Sequence, residues 1–196
     1  MADELKRRLV HSSGAGLVAL YLLASYLDLG LTWDRFQILM VVLAVGTIGL
    51  EFLRLRAGLE LSLYDKLTRE YEQDQFAGYG YYMVSMTVAV LAFPSEIALP
   101  AMLMLAIGDP VSGAVSDNSL RRYKSPKVFA TMFVVSFLLA LPFLREHPEV
   151  AVAAAIGAMV ADCITVKIGD FVVDDNLTIP IYAGLLGYLV LEFTPF

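Results

Sequence analysis

The sequence has none of the short motifs that identify common soluble enzymes. No Ser/His/Asp order, CxxC pair, Walker loop or GxGxxG is present. The single cysteine, Cys163, cannot form an intrachain disulfide, and because it lies in an apolar segment we expect it only to pack. The net charge of -6 and the lack of a basic low-complexity tail give no sign of a nucleic-acid partner.

What the chain does have is an excess of apolar residues. Hydrophobic residues make up 58% of it and the mean hydropathy is +0.68, whereas a soluble domain of this length is nearer half apolar. A soluble fold could not bury that excess. We therefore expect an all-α polytopic protein integral to the cell membrane, or to a membrane like that of the endoplasmic reticulum.

Apolar stretches separated by turn and breaker signals give the number of spans. A membrane-spanning helix needs about 20 mostly apolar residues, and breaks fall at positions such as Pro94, Pro126 and Pro148. We predict one membrane domain over residues 1–196, without a linker. Its seven predicted spans are Ser13–Leu31, Phe36–Leu55, Phe76–Phe93, Glu96–Ser116, Val128–Leu144, Val150–Ile168 and Ile179–Phe196.

The distribution of Lys and Arg tests this number and orients the chain. With the N-terminus in the cytoplasm and the C-terminus outside, only Arg35 and Arg145 of the 14 basic residues fall in outside loops. A wrong number of spans would break this alternation, because cytoplasmic loops carry the excess of Lys and Arg. The mixed charges of residues 1–8, and the lack of a small-residue cleavage site after Leu29, favour a first span over a signal peptide.

The longest connection, at residues 56–75, alternates leucines with charged residues. An amphipathic helix on the inner membrane surface fits this pattern, and so does a solvated loop helix. In both cases the segment would lie on the cytoplasmic side.

Apart from acids at the outer ends of spans, three acidic side chains fall inside predicted spans, where an ionisable group is costly and usually functional. They are Glu51, Asp109 and Asp162, all on helices that run toward the cytoplasm. A structural explanation also exists, since Glu51 could pair with Arg54 at i+3, and Asp109 could cap a broken half-helix or pair with a basic residue. The sequence favours a functional role for Glu51 and Asp109 and leaves Asp162 open between the two explanations.

The surroundings of Asp109 indicate a site for metal and phosphate. Pro110 removes a backbone donor, so we expect it to kink the fourth span. Asp109, Ser112 and Ser116 share one helix face at i, i+3, i+7 spacing. A carboxylate, two hydroxyls and a backbone that lacks a hydrogen bond are more typical of a metal–phosphate site than of a helix-packing interface.

Two cytoplasmic loops add candidate ligands. One holds four cations that could neutralise phosphate oxygens, although topology and anionic lipid head groups would also explain them: Arg121, Arg122, Lys124 and Lys127. The other, around Asp175 and Asn176, could bind Mg²⁺, which takes one or two carboxylates plus phosphate oxygens. It could instead cap the last helix, with Pro180 in the first turn, and the two roles are compatible.

The order of these pieces resembles the CTP-dependent lipid kinases, which include dolichol (polyprenol) kinase, phytol kinase and the CTP-type diacylglycerol kinase. The resemblance spans nearly the whole chain. Its pieces are Arg7-Arg8-Leu9-Val10-His11, similar to RKxxH; Glu51; Glu72 followed by Gly78 and Tyr81-Tyr82; Gly108-Asp109, opening a GDxxAxxxG stretch; Lys124-Ser125; and Asp175–Pro180, similar to DNLxxP. The chain departs from the family's Ala and Gly at Ser112 and Ser116, and from its KSxEG at Lys127 and Val128.

The resemblance implies a lipid kinase that transfers a phosphoryl group from CTP to the hydroxyl of dolichol or a related polyprenol, using Mg²⁺ or another divalent cation on the cytoplasmic side. The residues implied as catalytic are Asp109, Glu51, Glu72 and His11. From the loop charges and the spacing together with the resemblance, the residues predicted to bind nucleotide are Arg121, Arg122, Lys124, Ser125, Lys127, Ser112 and Asn176, and those predicted to bind metal are Asp109 and Asp175. The alternatives are a phosphatidate cytidylyltransferase-like enzyme, a kinase acting on phytol or diacylglycerol, and a small transporter or non-catalytic membrane protein.

Overall fold

The structure is a computed structural model that describes residues 10–57, 73, 75–116, 123–169 and 171–194. Within these residues seven helices of at least 12 residues occur, one at each predicted span, so the prediction of an all-α fold is confirmed. They are α1 Ala15–Tyr26, α2 Trp33–Ala57, α3 Gly78–Ala92, α4 Ser95–Ala114, α5 Pro126–Ala140, α6 Pro148–Cys163 and α7 Asp175–Phe193.

Prolines and a capping aspartate define where several helices begin. Pro126 and Pro148 are the first residues of α5 and α6, where a missing N–H costs no intrahelical hydrogen bond. Asp174 is the N-cap of α7, and its Oδ1 accepts a hydrogen bond from the backbone N–H of Asn176 at 2.9 Å. After α1 the chain turns through Asp28 and Gly30, both with positive φ, a conformation that glycine adopts without strain.

Helix α4 changes its hydrogen-bond register just before Asp109. Residues Met104–Gly108 form a π-helical turn, and the backbone N–H of Asp109 donates to the carbonyl of Met104. The predicted disturbance beside Pro110 therefore takes the form of a π-helical turn N-terminal to the proline. This turn sets the direction in which the Asp109 side chain leaves the helix.

Helices α6 and α7, which carry Asp162 and Asp175, pack closely against each other. A Cβ added to Gly157 of α6 would overlap the carbonyl oxygen of Tyr182 in α7, so the two backbones approach closely. Small buried residues continue this face of α6: Ala151, Ala154 and Ala158.

Many apolar side chains point away from the bundle. On α2, Ile38, Val42, Val45 and Phe52 are each more than 60% exposed. Three described helices are long and apolar enough to cross a membrane: α2, α4 and α7. These candidate spans indicate an integral membrane protein, and crossing by all seven helices stays a prediction.

A short hairpin joins α6 to α7, where the sequence indicated only a loop. Strand β1 (Lys167–Ile168) pairs antiparallel with β2 (Phe171–Val172), and Gly169 has φ 62° in the turn. The sixth span was predicted to continue to Ile168, but α6 ends at Cys163. The chain becomes extended at Ile164, whose backbone pairs with Tyr123 instead of continuing the helix.

The predicted amphipathic connection at residues 56–75 falls largely outside the described part of the chain, because residues 58–72 and 74 are not described.

Candidate active site

Three carboxylates from three helices meet at one end of the bundle. Asp109 follows the π-helical turn of α4, Asp162 is the penultimate residue of α6, and Asp175 is the first residue of α7. One carboxylate oxygen from each lies within 4.8 Å of the others. Asp162 is buried, whereas Asp109 and Asp175 are partly exposed, so the cluster is open to solvent on one side.

Lys124 is held against this cluster by its backbone. Its N–H donates to the carbonyl of Cys163 at 3.0 Å, and the neighbouring Tyr123 forms a bridge with Ile164. The ammonium group therefore reaches Oδ1 of Asp162 at 2.6 Å and Oδ2 of Asp175 at 3.4 Å. Burial alone would lower the pKa of Lys124, but the charges of Asp175 and Asp162 outweigh burial and raise it, so the amine stays protonated.

Ser112 fixes the other oxygen of Asp162. Its hydroxyl donates to Oδ2 of Asp162 at 2.9 Å and lies 3.1 Å from the carbonyl oxygen of Asp109. The thiol of Cys163 also approaches Oδ2 of Asp162, at 3.5 Å, so the cysteine that was expected only to pack touches the cluster. With Lys124 on one oxygen and Ser112 on the other, the buried Asp162 carboxylate is held in one orientation.

His11 reaches the cluster from the segment before α1. Its Nε2 lies 3.4 Å from Oδ2 of Asp109 and donates a hydrogen bond to the carbonyl of Leu105 at 3.0 Å. Tyr82 supports it, because the phenol donates to the backbone carbonyl of His11 at 2.8 Å and the two rings meet edge to face. The structure thus brings His11 and Asp109 together although 98 positions separate them.

Two buried polar atoms beside the cluster have no hydrogen-bond partner within the described chain. They are Oγ of Ser125, next to Lys124, and Oδ1 of Asn176, next to Asp175. The backbone of Asn176 is fixed, since its carbonyl accepts from Ser85 at 2.5 Å. Buried polar atoms are nearly always paired, so these two mark positions where a ligand could supply the missing partner.

Glu51 is fully buried in a separate group of hydrogen bonds. Arg54 donates to both of its carboxylate oxygens, at 2.9 and 2.7 Å, the backbone N–H of Ala77 donates at 2.7 Å, and the hydroxyl of Tyr79 donates to Oε2. Four donors fill the acceptor positions of a carboxylate. The pairing with Arg54 that the sequence left open is therefore formed. The hydrogen bonds described for Glu51 involve no residue of the aspartate cluster.

Of the predicted site residues not yet located, one is exposed and three are not described. Lys127 lies exposed in the first turn of α5. Glu72, Arg121 and Arg122 fall outside the described residues. Asp162, which the sequence left open, is the centre of the hydrogen bonds described above. The signal that could have identified it was the same as for Asp109, a carboxylate inside an apolar helix.

The residues present fit a divalent cation. Carboxylate oxygens are preferred ligands of hard cations, and the three aspartates supply them within a few ångströms of one another. Lys124 brings a positive charge to the same place, which suits phosphate oxygens. The geometry therefore suits a metal ion together with a phosphate group.

Comparison with known proteins agrees with this chemistry. The chain is 28% identical over 166 residues to "Probable phytol kinase 1, chloroplastic" of Oryza sativa subsp. japonica, covering 71% of this chain and 51% of that protein. The resemblance to the lipid kinases is confirmed as a distant homology. The chain spans about half the length of this curated relative. No protein-family model and no solved structure matches the chain.

Proposed function

We propose that this protein is a membrane-embedded lipid kinase that transfers the γ-phosphoryl group of CTP to the hydroxyl of an isoprenoid alcohol. The observation that carries the proposal is the aspartate cluster with Lys124, formed in a chain that is distantly homologous to a probable phytol kinase. Phosphoryl transfer requires positioning and charge neutralisation more than covalent participation of the protein, and this cluster offers both.

Asp109, Asp162 and Asp175 would hold the divalent cation. When bound there, the cation would neutralise nucleotide phosphate oxygens. Asp162 was not among the predicted metal ligands. Its two hydrogen-bond partners, Ser112 and Lys124, support its inclusion because they fix the carboxylate in place before any ligand arrives.

Asp109 would also receive the proton of the lipid hydroxyl. As the alcohol oxygen forms a bond with the γ-phosphorus, the bond from that phosphorus to the β-phosphate oxygen breaks and CDP leaves. The hydroxyl proton passes to the Asp109 carboxylate, which is partly exposed and so open to a substrate. Whether Asp109 ligates the cation or accepts the proton, removal of its carboxylate should lower turnover in the same way.

Lys124, Ser125 and Asn176 would bind the nucleotide. Lys124 would neutralise phosphate oxygens, and the unpaired atoms of Ser125 and Asn176 would pair with donors or acceptors of the nucleotide. Ser112, predicted as a nucleotide ligand, acts in this proposal through Asp162. We retain Lys127, Arg121 and Arg122 as proposed nucleotide-binding cations, of which Arg121 and Arg122 lie outside the described residues.

Glu51, Glu72 and His11 would orient the site without touching the nucleotide. Glu51 fixes the start of α3 through Ala77 and Tyr79, and α3 carries Tyr82 to His11. The lipid would enter sideways between helices, with its tail in hydrocarbon and its hydroxyl at the inner membrane interface.

The acceptor is proposed as an isoprenoid alcohol, with phytol as the first candidate. Phytol appears in the name of the homologous protein. Dolichol, predicted from the sequence, belongs in the same test because it presents the same hydroxyl on a longer isoprenoid chain.

The decisive experiment is incubation of the purified protein with γ-labelled nucleotide, Mg²⁺ and a panel of phytol, dolichol and diacylglycerol. We expect label in an isoprenoid monophosphate, with CTP preferred to ATP and GTP. A parallel incubation with phosphatidate tests the alternative: its phosphate oxygen would attack the α-phosphorus of CTP, and a CDP-lipid with release of pyrophosphate would indicate a cytidylyltransferase instead. If no lipid acquires phosphate with any donor, the kinase proposal is wrong.

Asp109→Asn tests the site directly. It removes the charge with little change of shape, and we expect turnover to fall by about 100-fold or more, because a positioned proton acceptor alone contributes on the order of 10²–10⁴. Asp34→Asn makes the same change on an exposed residue at the start of α2 and should leave turnover unchanged. Turnover of Asp109→Asn within a few-fold of wild type, with the fold intact, would exclude a central role for Asp109.

A further inference from the structure

The π-helical turn of α4 leaves one carbonyl without a partner in its own helix. In α-helical register the carbonyl of Leu105 would accept from the N–H of Asp109, but that N–H donates to Met104 instead. In the π register the next donor would be residue 110, which is a proline and has no N–H. The buried carbonyl of Leu105 therefore needs a donor from elsewhere.

His11 supplies that donor from a distant part of the chain. Its Nε2 lies 3.0 Å from the carbonyl oxygen of Leu105, and because a carbonyl only accepts, Nε2 carries the hydrogen. The same nitrogen lies 3.4 Å from Oδ2 of Asp109. A nitrogen that already carries hydrogen cannot take a proton from a substrate, so Nε2 does not act as a base.

We propose that His11 is a positioning residue: its Nε2–H group satisfies the Leu105 carbonyl that Pro110 leaves without a donor, and thereby holds the π-helical turn and the carboxylate of Asp109 in place. Tyr82 keeps His11 at this position, through its hydrogen bond to the His11 carbonyl and its ring contact. The effect on catalysis rests on the proposed kinase function. The effect on the α4 backbone does not.

A double-mutant cycle on thermal stability tests the backbone part. The amide nitrogen of Gln has about the reach of Nε2, whereas that of Asn has only the reach of Nδ1. We expect His11→Asn to lower Tm by about 2–4 °C and His11→Gln to lower it by less than half as much, as fits the loss of one buried hydrogen bond in a chain of this size. Unfolding can be followed with a thiol-reactive dye, because Cys163 is the only cysteine and is buried.

Pro110→Ala completes the cycle by restoring an N–H at position 110. The Leu105 carbonyl then has a donor within α4. His11→Asn should therefore lower Tm in this background by less than half of the decrease that it causes in wild type. Equal cost in the two backgrounds would overturn the proposal, since it would show that His11 and Pro110 act independently.

Steady-state kinetics test the positioning of Asp109. We expect His11→Asn to lower kcat by about 10- to 100-fold with KM for the nucleotide nearly unchanged, because small displacements of a catalytic group have effects of this size. His11→Gln should retain kcat within about fivefold, since it restores the donor although it cannot titrate. Loss of kcat in His11→Gln as large as in His11→Asn would instead assign proton transfer to His11 and overturn the proposal. If the wild-type protein phosphorylates no lipid, the proposed function fails while the stability cycle still decides the structural role.

Discussion

Replacement of Lys124 by Met separates two effects of its ammonium group on the aspartate cluster. The ammonium group lies 2.6 Å from Asp162 and 3.4 Å from Asp175, in the space that a cation ligated by both carboxylates would share. Lys124 thus stabilises the cluster in the absence of metal and competes with an incoming cation. Lys124→Met should therefore lower the stability of the metal-free protein and raise its affinity for a divalent cation.

The size of the first effect follows from burial. Removing one partner of a buried ion pair costs about 3–5 kcal/mol, because the other charge is left uncompensated. The Asp162 side chain is fully buried, but Lys124 is 24% exposed, so we take about 2–4 kcal/mol after allowing for solvent screening. For a chain of this length that corresponds to a decrease of about 5–15 °C in Tm without metal.

The second effect, on the affinity for a divalent cation, is favourable and is measured by titration with Mn²⁺ or Mg²⁺. We expect the cation to bind Lys124→Met at least about tenfold more tightly than wild type, which equals about 1.4 kcal/mol. The metal should accordingly raise the Tm of Lys124→Met by more than it raises the Tm of wild type. Turnover in the proposed kinase reaction should nevertheless fall, because the phosphate would have lost its counter-charge.

Arg56→Met is the control, since it removes an exposed basic residue in the last turn of α2 that belongs to neither the proposed site nor the aspartate cluster. It should change Tm by about 1 °C or less and leave cation affinity unchanged, as surface substitutions usually do. Cation affinity of Lys124→Met equal to or below that of wild type would refute the reasoning, because Lys124 would then not occupy the cation position.

Four further variants, of which Gly46→Ala is a control, probe the scaffold and the fixed carboxylate. Glu51→Gln removes the charge that pairs with Arg54 and should cost about 2–4 kcal/mol by thermal unfolding, with cation affinity unchanged. Gly157→Ala should cost about 1–3 kcal/mol by overlap with α7, whereas Gly46→Ala, where an added Cβ meets nothing within 4 Å, should be neutral or slightly stabilising. Ser112→Ala removes the hydroxyl donor from one oxygen of Asp162 and leaves it only the weak thiol contact of Cys163, so it should lower the free energy of unfolding and the free energy of cation binding by about 1 kcal/mol each.

The helices could be predicted from the sequence because their boundaries are encoded locally. Prolines at positions 94, 126 and 148 and the capping Asp174 each act within a turn of themselves, and each predicted span contains a helix. The end of α6 was less predictable. It depends on pairing between Ile164 and Tyr123, a contact 41 positions apart that no local pattern reveals.

The candidate site was predicted in part for the same reason. Asp109, Lys124 and Asp175 lie near helix ends that the alternation of basic loops assigns to one side, so their convergence follows from the topology. The pairing of Ser112 with Asp162 does not follow, because it depends on how α4 and α6 are rotated about their axes. The nucleotide role predicted for Ser112 stays a prediction, and in the structure its hydroxyl donates to the carboxylate of Asp162.

The charge balance of the cluster gives a physical reason to expect a bound cation. Three ionised carboxylates and one ammonium group leave a formal charge of -2 at the end of an apolar bundle. Such a charge is costly in surroundings of low polarity, and protonation or a counter-ion must relieve it. A single divalent cation balances it, and the cation then provides the positive site that a nucleotide phosphate needs. The aspartate cluster and Lys124 are thus parts of one electrostatic arrangement.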